Sequence, residues 1–153
     1  MGTVNLKTAS GGSVILSPAN TASDVTITVP ATTGTVVTAD ASNNVTVAGK
    51  VSAVSYTETV FAVTGTTPAL TPNNGSIQTW TLSASSTPTA GTWASGQSLT
   101  VMIDDGTAFT VTWTSLPVTW VGGVAPTLAL TGYSIIEFWK VNTVIYGAFV
   151  GSA

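Results

Sequence analysis

Cysteine, histidine and arginine are all absent from this 153-residue chain. Without cysteine there is no disulfide framework, no thiolate metal site and no thiol nucleophile, and the redox compartment stays open. Without histidine, general acid–base chemistry near neutral pH falls to six carboxylates, three lysines and three tyrosines, a poor inventory for an enzyme. Without arginine, and with Lys7, Lys50 and Lys140 scattered along the chain, no cation cluster exists to displace counterions from phosphates, which excludes a nucleic-acid binder. A run of about 18 uninterrupted apolar residues is also missing, so no membrane span is expected. The strongest stretch, Tyr133 to Val150, is interrupted by Glu137, Lys140 and Asn142 and suits paired strands better. The opening residues Met1 to Lys7 lack the basic stretch and apolar run of a secretory signal, and the expectation is a protein made in the host cytoplasm and kept there until assembly.

Charge is the scarcest resource. Charged residues make up 6% of the chain and leave a net charge of −3, where soluble domains carry about 25%. Thr, Ser, Asn and Gln must therefore supply the polar surface. A surface without charge lacks the repulsion that keeps copies apart, and association with itself or a partner is the natural consequence. A secreted β-module with a Thr-rich skin is the alternative that composition alone leaves standing.

Thr and Val dominate what remains, and Gly and Pro recur every few residues. Branching at Cβ favours the pleated strand over the helix, so the chain is expected to be all-β. Residues 1–55 read as an extended stem of short strands: Val4 to Lys7, Val14 to Ser17, Val25 to Val29, Thr35 to Thr38 and Val45 to Val47. Turn chemistry bounds each of them, as at Gly11-Gly12, Ser17-Pro18 and Asn43-Asn44. The run Val25-Thr26-Ile27-Thr28-Val29 alternates strictly, so Val25, Ile27 and Val29 share one face. That stripe is the expected oligomer or docking contact and should tolerate charge poorly. The stem has no aromatic residue, which favours wrapping around identical chains over a core of its own; completing the sheets of the downstream domain is the other reading.

All five Trp, three Tyr and four Phe lie between Tyr56 and Phe149. The composition shift near Ala53 marks residues 56–153 as a compact domain, expected to be an antiparallel β-sandwich or barrel. Leu99 to Ile103, the turn Asp104-Asp105-Gly106-Thr107, and Ala108 to Trp113 read as one hairpin. Ser134 to Val141, Asn142-Thr143, and Val144 to Val150 read as a second. Trp113 and Trp139, on alternating strands, are expected core anchors. Trp93 and Trp120, in loop-like surroundings, are candidates for stacking against host-surface glycans.

No catalytic residue and no cofactor site emerges. Trp120-Val121-Gly122-Gly123-Val124-Ala125-Pro126 lacks the spacing, the Lys and the following helix of a phosphate cradle. Asp104 and Asp105 are adjacent and cannot face each other across a sugar as glycosidase carboxylates do. They read as turn residues, with an oxygen-ligand cation site as the alternative; no metal site is assigned. Glu137 and Lys140, three positions apart, fall on opposite faces of one strand, and Glu137 is expected to face solvent.

The run Ser13-Val14-Ile15-Leu16-Ser17-Pro18 through Val25-Thr26-Ile27-Thr28-Val29-Pro30-Ala31-Thr32-Thr33-Gly34-Thr35-Val36-Val37-Thr38 resembles a pattern recurring in phage tail-fibre and virion surface proteins. Ser95 to Gly106 and Gly132 to Val150 look like domains appended to phage and prophage fibre proteins. The resemblance covers most of the chain and carries over no site residue. It implies an intertwined homotrimer on the virion surface, with the major capsid protein or another virion protein as partner. A stem of about 50 residues spans at most roughly 170 Å, short for a fibre. The expectation is a capsid decoration or cement protein, with a tail-fibre or tail-tip adhesin that binds host glycans as the alternative.

Overall fold

The computed structural model describes residues 4–7, 10, 11, 13–16, 45, 47, 49–104 and 109–153. The chain divides into two compact units, Met1–Ser52 and Ala53–Ala153. In the first, β1 (Val4–Lys7) pairs antiparallel with β2 (Ser13–Leu16), Val4 opposite Leu16 and Lys7 opposite Ser13. Gly11, between them, has φ 86°, a conformation that only glycine adopts without strain. These strands match two of the runs expected from Val and Leu alternation, the second shifted by one residue. Val25, Ile27 and Val29 lie outside the described residues.

The second unit is all-β, as expected. It holds β3 (Val60–Val63), β4 (Ala69–Leu70), β5 (Ile77–Thr81), β6 (Thr89–Ala90), β7 (Ser98–Asp104), β8 (Val118–Trp120), β9 (Tyr133–Val141) and β10 (Val144–Ser152). A single 3-10 turn, Trp113–Ser115, is the helical content of the described residues. The main sheet has six strands in the order β3-β5-β7-β9-β10-β8.

This sheet is mixed. β3, β5 and β7 run parallel to one another, β9 runs antiparallel to β7, and β8 is parallel to β10. Each passage between the parallel strands visits a small second sheet, where β4 and β6 also pair in parallel. The chain from β3 to β7 thus climbs in solenoid-like rungs. The next passage continues the pattern: Ser86 bridges in parallel to Val111, with the Ser86 amide donating to the Thr110 carbonyl and the Thr112 amide to the Ser86 carbonyl, both at 2.8 Å.

The hairpin expected over Leu99 to Trp113 does not form. Both edges of β7 are taken, by β5 on one side and β9 on the other, so the segment around Val111 pairs with Ser86 instead. Residues 105–108 lie outside the described residues. Apolar alternation identifies a strand but not its neighbour, and β7, which ends at Asp104, is already paired on both sides. The second hairpin is present: β9 and β10 pair from Val141↔Val144 to Ser134↔Ser152, with a bulge between Phe149 and Gly151. At its tip Asn142 takes φ 53°, the left-handed region that Asn tolerates better than other non-glycine residues.

Alternation decides the core. On one face of the main sheet Gln78 and Trp80 (β5), Leu99, Val101 and Ile103 (β7), and Ser134, Ile136 and Phe138 (β9) are buried. Leu70, Leu82, Trp93 and Leu116 complete the cluster from the connecting segments. Gln78 is an uncommon core residue, and its Nε2 donates to the carbonyls of Thr71 (2.7 Å) and Gly75 (3.2 Å). It fastens the Pro72-Asn73-Asn74-Gly75 turn, itself closed by the Asn74 amide on the Thr71 carbonyl, to the sheet.

Candidate assembly surface

The opposite face of the main sheet is built by the alternate residues of the same strands. Backbone register aligns Ile77, Thr100, Glu137 and Ala148 in one row and Thr79, Met102 and Ile135 in the next. A third row carries Ser98, Trp139, Tyr146 and Thr119. Apart from the exposed Ser98 and Thr119, all of these are half-buried, and none is fully covered. The rim is apolar and exposed: Val60 on β3, and Val141 and Val144 at the β9–β10 turn.

Two pairings order this face. Trp139 and Tyr146 are cross-strand neighbours whose rings stack at a centroid distance of 5.9 Å and 16° between planes, a favourable offset aromatic arrangement. Thr100 Oγ1 donates to Glu137 Oε2 at 2.6 Å, so the carboxylate is held against the sheet. Lys140, on the other face as its three-residue spacing from Glu137 requires, donates to the Trp93 carbonyl at 3.0 Å. With its backbone it also grips the 93–97 loop, through Gly96 N–H to Lys140 O (2.8 Å) and Lys140 N–H to Gln97 O (3.0 Å).

The tryptophans expected to hold glycans sit otherwise. Trp93 is 7% exposed and its indole N–H donates to the Leu70 carbonyl at 2.8 Å; it is a core residue whose polar handle is satisfied inside. Trp120 is half-buried on the core side, edge-on to Trp113 at 5.2 Å and tilted against Phe138 at 5.8 Å. Its ring covers Gly147, where a Cβ would come within 2.8 Å of Trp120 Cζ3 and 2.7 Å of Val118 Cγ1. Trp113 packs against the core as expected, 5.7 Å from Phe138. Trp139, expected inside, lies on the uncovered face. The β9 run Ile135-Ile136-Glu137-Phe138-Trp139 places a bulky apolar residue on both sides of the strand, so hydropathy gives no vote between the faces; the position of Glu137 beside Trp139 was the available signal.

Asp104 closes β7 and its carbonyl accepts the Leu82 amide at 2.8 Å; Asp105 lies outside the described residues. Among the described residues no three His, Cys, Asp or Glu side chains converge on a point that would hold a metal ion, and no helix is long and apolar enough to cross a membrane. An open groove is lined by Phe109, Val111, Pro126, Leu128 and Leu130, with Thr110 and Thr127; none of these described lining residues is titratable. Compared with protein families, with curated proteins and with solved structures, the chain matches none at a significant level.

Proposed function

We propose that the chain is a non-enzymatic structural protein of a phage virion, a self-associating subunit that decorates or stabilises the capsid surface as a homotrimer. The observation that carries the self-assembly is the uncovered face of the main sheet. Ile77, Met102, Ile135, Trp139 and Tyr146 stand on it with Glu137 and, at the end of β7, Asp104 as the charges of that face among the described residues, and a patch of this kind marks an interaction surface. The virion assignment rests on the sequence pattern of Ser13 to Thr38 and Ser95 to Gly106, and the low charge supports contact between copies. The solenoid-like rungs and the sheet beside them would form the projecting domain, its open face covered in the assembly. The first 52 residues would dock on the shell or intertwine with sister chains, with Val25, Ile27 and Val29 as contacts.

The adhesin alternative is weaker on this geometry, since Trp93 offers no open ring face and Trp120 is engaged with Trp113, Phe138 and Gly147. Cryo-electron microscopy of purified particles together with native mass measurement tests the proposal. Threefold knobs on the capsid and a trimer mass are the expected results. Density at the tail alone would move the protein to the adhesin class, and absence from every particle would sink the virion reading.

A further inference from the structure

The sequence holds one Asn-Gly pair, Asn74-Gly75, in the turn that leads into β5. Asn74 is exposed, and the residue after it has no Cβ to shield the peptide nitrogen from the asparagine carboxamide. Packing requires glycine here, because a Cβ at Gly75 would stand 2.6 Å from the Thr59 carbonyl oxygen. The close approach that seats the turn thus installs a chemically labile pair. The same turn holds the nitrogen back. The Asn74 amide donates to the Thr71 carbonyl at 3.2 Å and the Gly75 amide to the Pro72 carbonyl at 3.1 Å, successive bonds to the third residue back, as in a 3-10 turn. From the core, Gln78 Nε2 donates to the Thr71 carbonyl at 2.7 Å and the Gly75 carbonyl at 3.2 Å, gripping both ends of the turn. Asn73 is placed differently: the side chain of Asn74 follows it, and its Oδ1 accepts from Gln97 Nε2 at 3.4 Å.

We propose that Asn74 is a deamidation site latched shut by Gln78, and that it reacts when the turn opens. Ring closure requires the Gly75 N–H to leave the Pro72 carbonyl and the peptide to rotate toward the Asn74 side chain, a movement that the Gln78 bonds and the contact with Thr59 oppose. In the step itself the Gly75 nitrogen gives up its proton to hydroxide and bonds to Asn74 Cγ, the Cγ–Nδ2 bond breaks, and the amide nitrogen takes up a proton and leaves as ammonia. Water then opens the cyclic imide at either carbonyl, giving aspartate or isoaspartate. Each product adds a carboxylate to a chain that has six carboxylate side chains against three lysines. Isoaspartate also lengthens the main chain by a methylene, so the turn cannot close again on the Thr71 and Pro72 carbonyls in its original form. The modification is irreversible and does not depend on what the chain assembles with.

The full chain is held at mildly alkaline pH, folded in buffer and unfolded in guanidinium chloride. Conversion is followed by peptide mass mapping that separates Asn74 from Asn73, and by the acidic shift on isoelectric focusing. A reaction that waits on local opening runs in proportion to the open fraction. The folded parent is therefore expected to convert Asn74 roughly tenfold or more slowly than the unfolded chain, and folded Gln78→Leu to recover most of that difference. Should Gln78→Leu fail to fold, Gln78→Met removes the same two hydrogen bonds with a more adaptable side chain and repeats the measurement. Equal rates in the folded and unfolded parent would overturn the latch, as would undiminished protection in a folded Gln78 variant. Conversion at Asn73 in place of Asn74 would overturn the site.

Discussion

Gln78 shows how one side chain can join two parts of this fold. It is fully buried on the core face, in register with Phe61 on β3 and Val101 on β7, yet both of its amide hydrogens are used, on the Thr71 and Gly75 carbonyls. Among the described residues its Oε1 has no partner, so the residue already carries part of the desolvation penalty. Replacing it by leucine keeps the volume and leaves two buried carbonyls unpaired, which outweighs the gain in apolar burial. Gln78→Leu is expected to lose about 1–3 kcal/mol in urea unfolding, with the m-value unchanged. A stability equal to that of the parent would mean the carbonyls find water. In the sequence Gln78 is indistinguishable from a surface glutamine on an alternating strand, because its burial depends on the Thr71–Gly75 turn folding back over it.

At the scale of elements, β8 is the attachment that depends most on a missing side chain. It contributes three residues to the sheet, paired in parallel with β10 at Ile145, Tyr146 and Gly147. Trp120 stands over Gly147, a glycine shielded by a cross-strand aromatic ring. A valine at 147 would drive its Cβ into Val118 and Trp120, and neither can retreat while Trp113 and Phe138 hold the indole. Gly147→Val should cost about 1–3 kcal/mol by overpacking, with a red shift of tryptophan emission as Trp120 is displaced into water. Thermal unfolding matching the parent, with unshifted emission, would show that β8 is not held in this way. The β9–β10 hairpin was legible from alternation and the Asn142-Thr143 turn, whereas the pairing of β8 was not. Local sequence encodes adjacent strands joined by a tight turn, but parallel partners such as Val118 and Ile145 meet only through the rest of the fold. The same limit explains why β7 was expected to turn back on itself and instead lies between β5 and β9.

For the whole molecule, nine charged residues out of 153 leave few means of holding copies together except apolar burial. The all-β class was readable from the abundance of Val and Thr. The assembly surface was not, since it consists of the strand residues left over once the core has chosen its face, and that choice is made by Leu70, Leu82 and Leu116 arriving from connecting segments. The balance of forces gives a discriminating prediction. Ion-pair interfaces weaken as the Debye length falls from about 10 Å at 0.1 M salt to about 3 Å at 1 M, whereas apolar burial is insensitive to sodium chloride and is strengthened by sulfate. The open face invoked here, with Ile77, Met102, Ile135, Trp139 and Tyr146, carries the carboxylates of Glu137 and Asp104 and, among the described residues, no lysine for them to pair with. Sedimentation velocity across that salt range should therefore show an unchanged association state in sodium chloride and tighter association in ammonium sulfate. Dissociation by sodium chloride would mean that Glu58, Glu137 or the lysines carry the contact, and the uncovered sheet face would no longer explain how the copies meet.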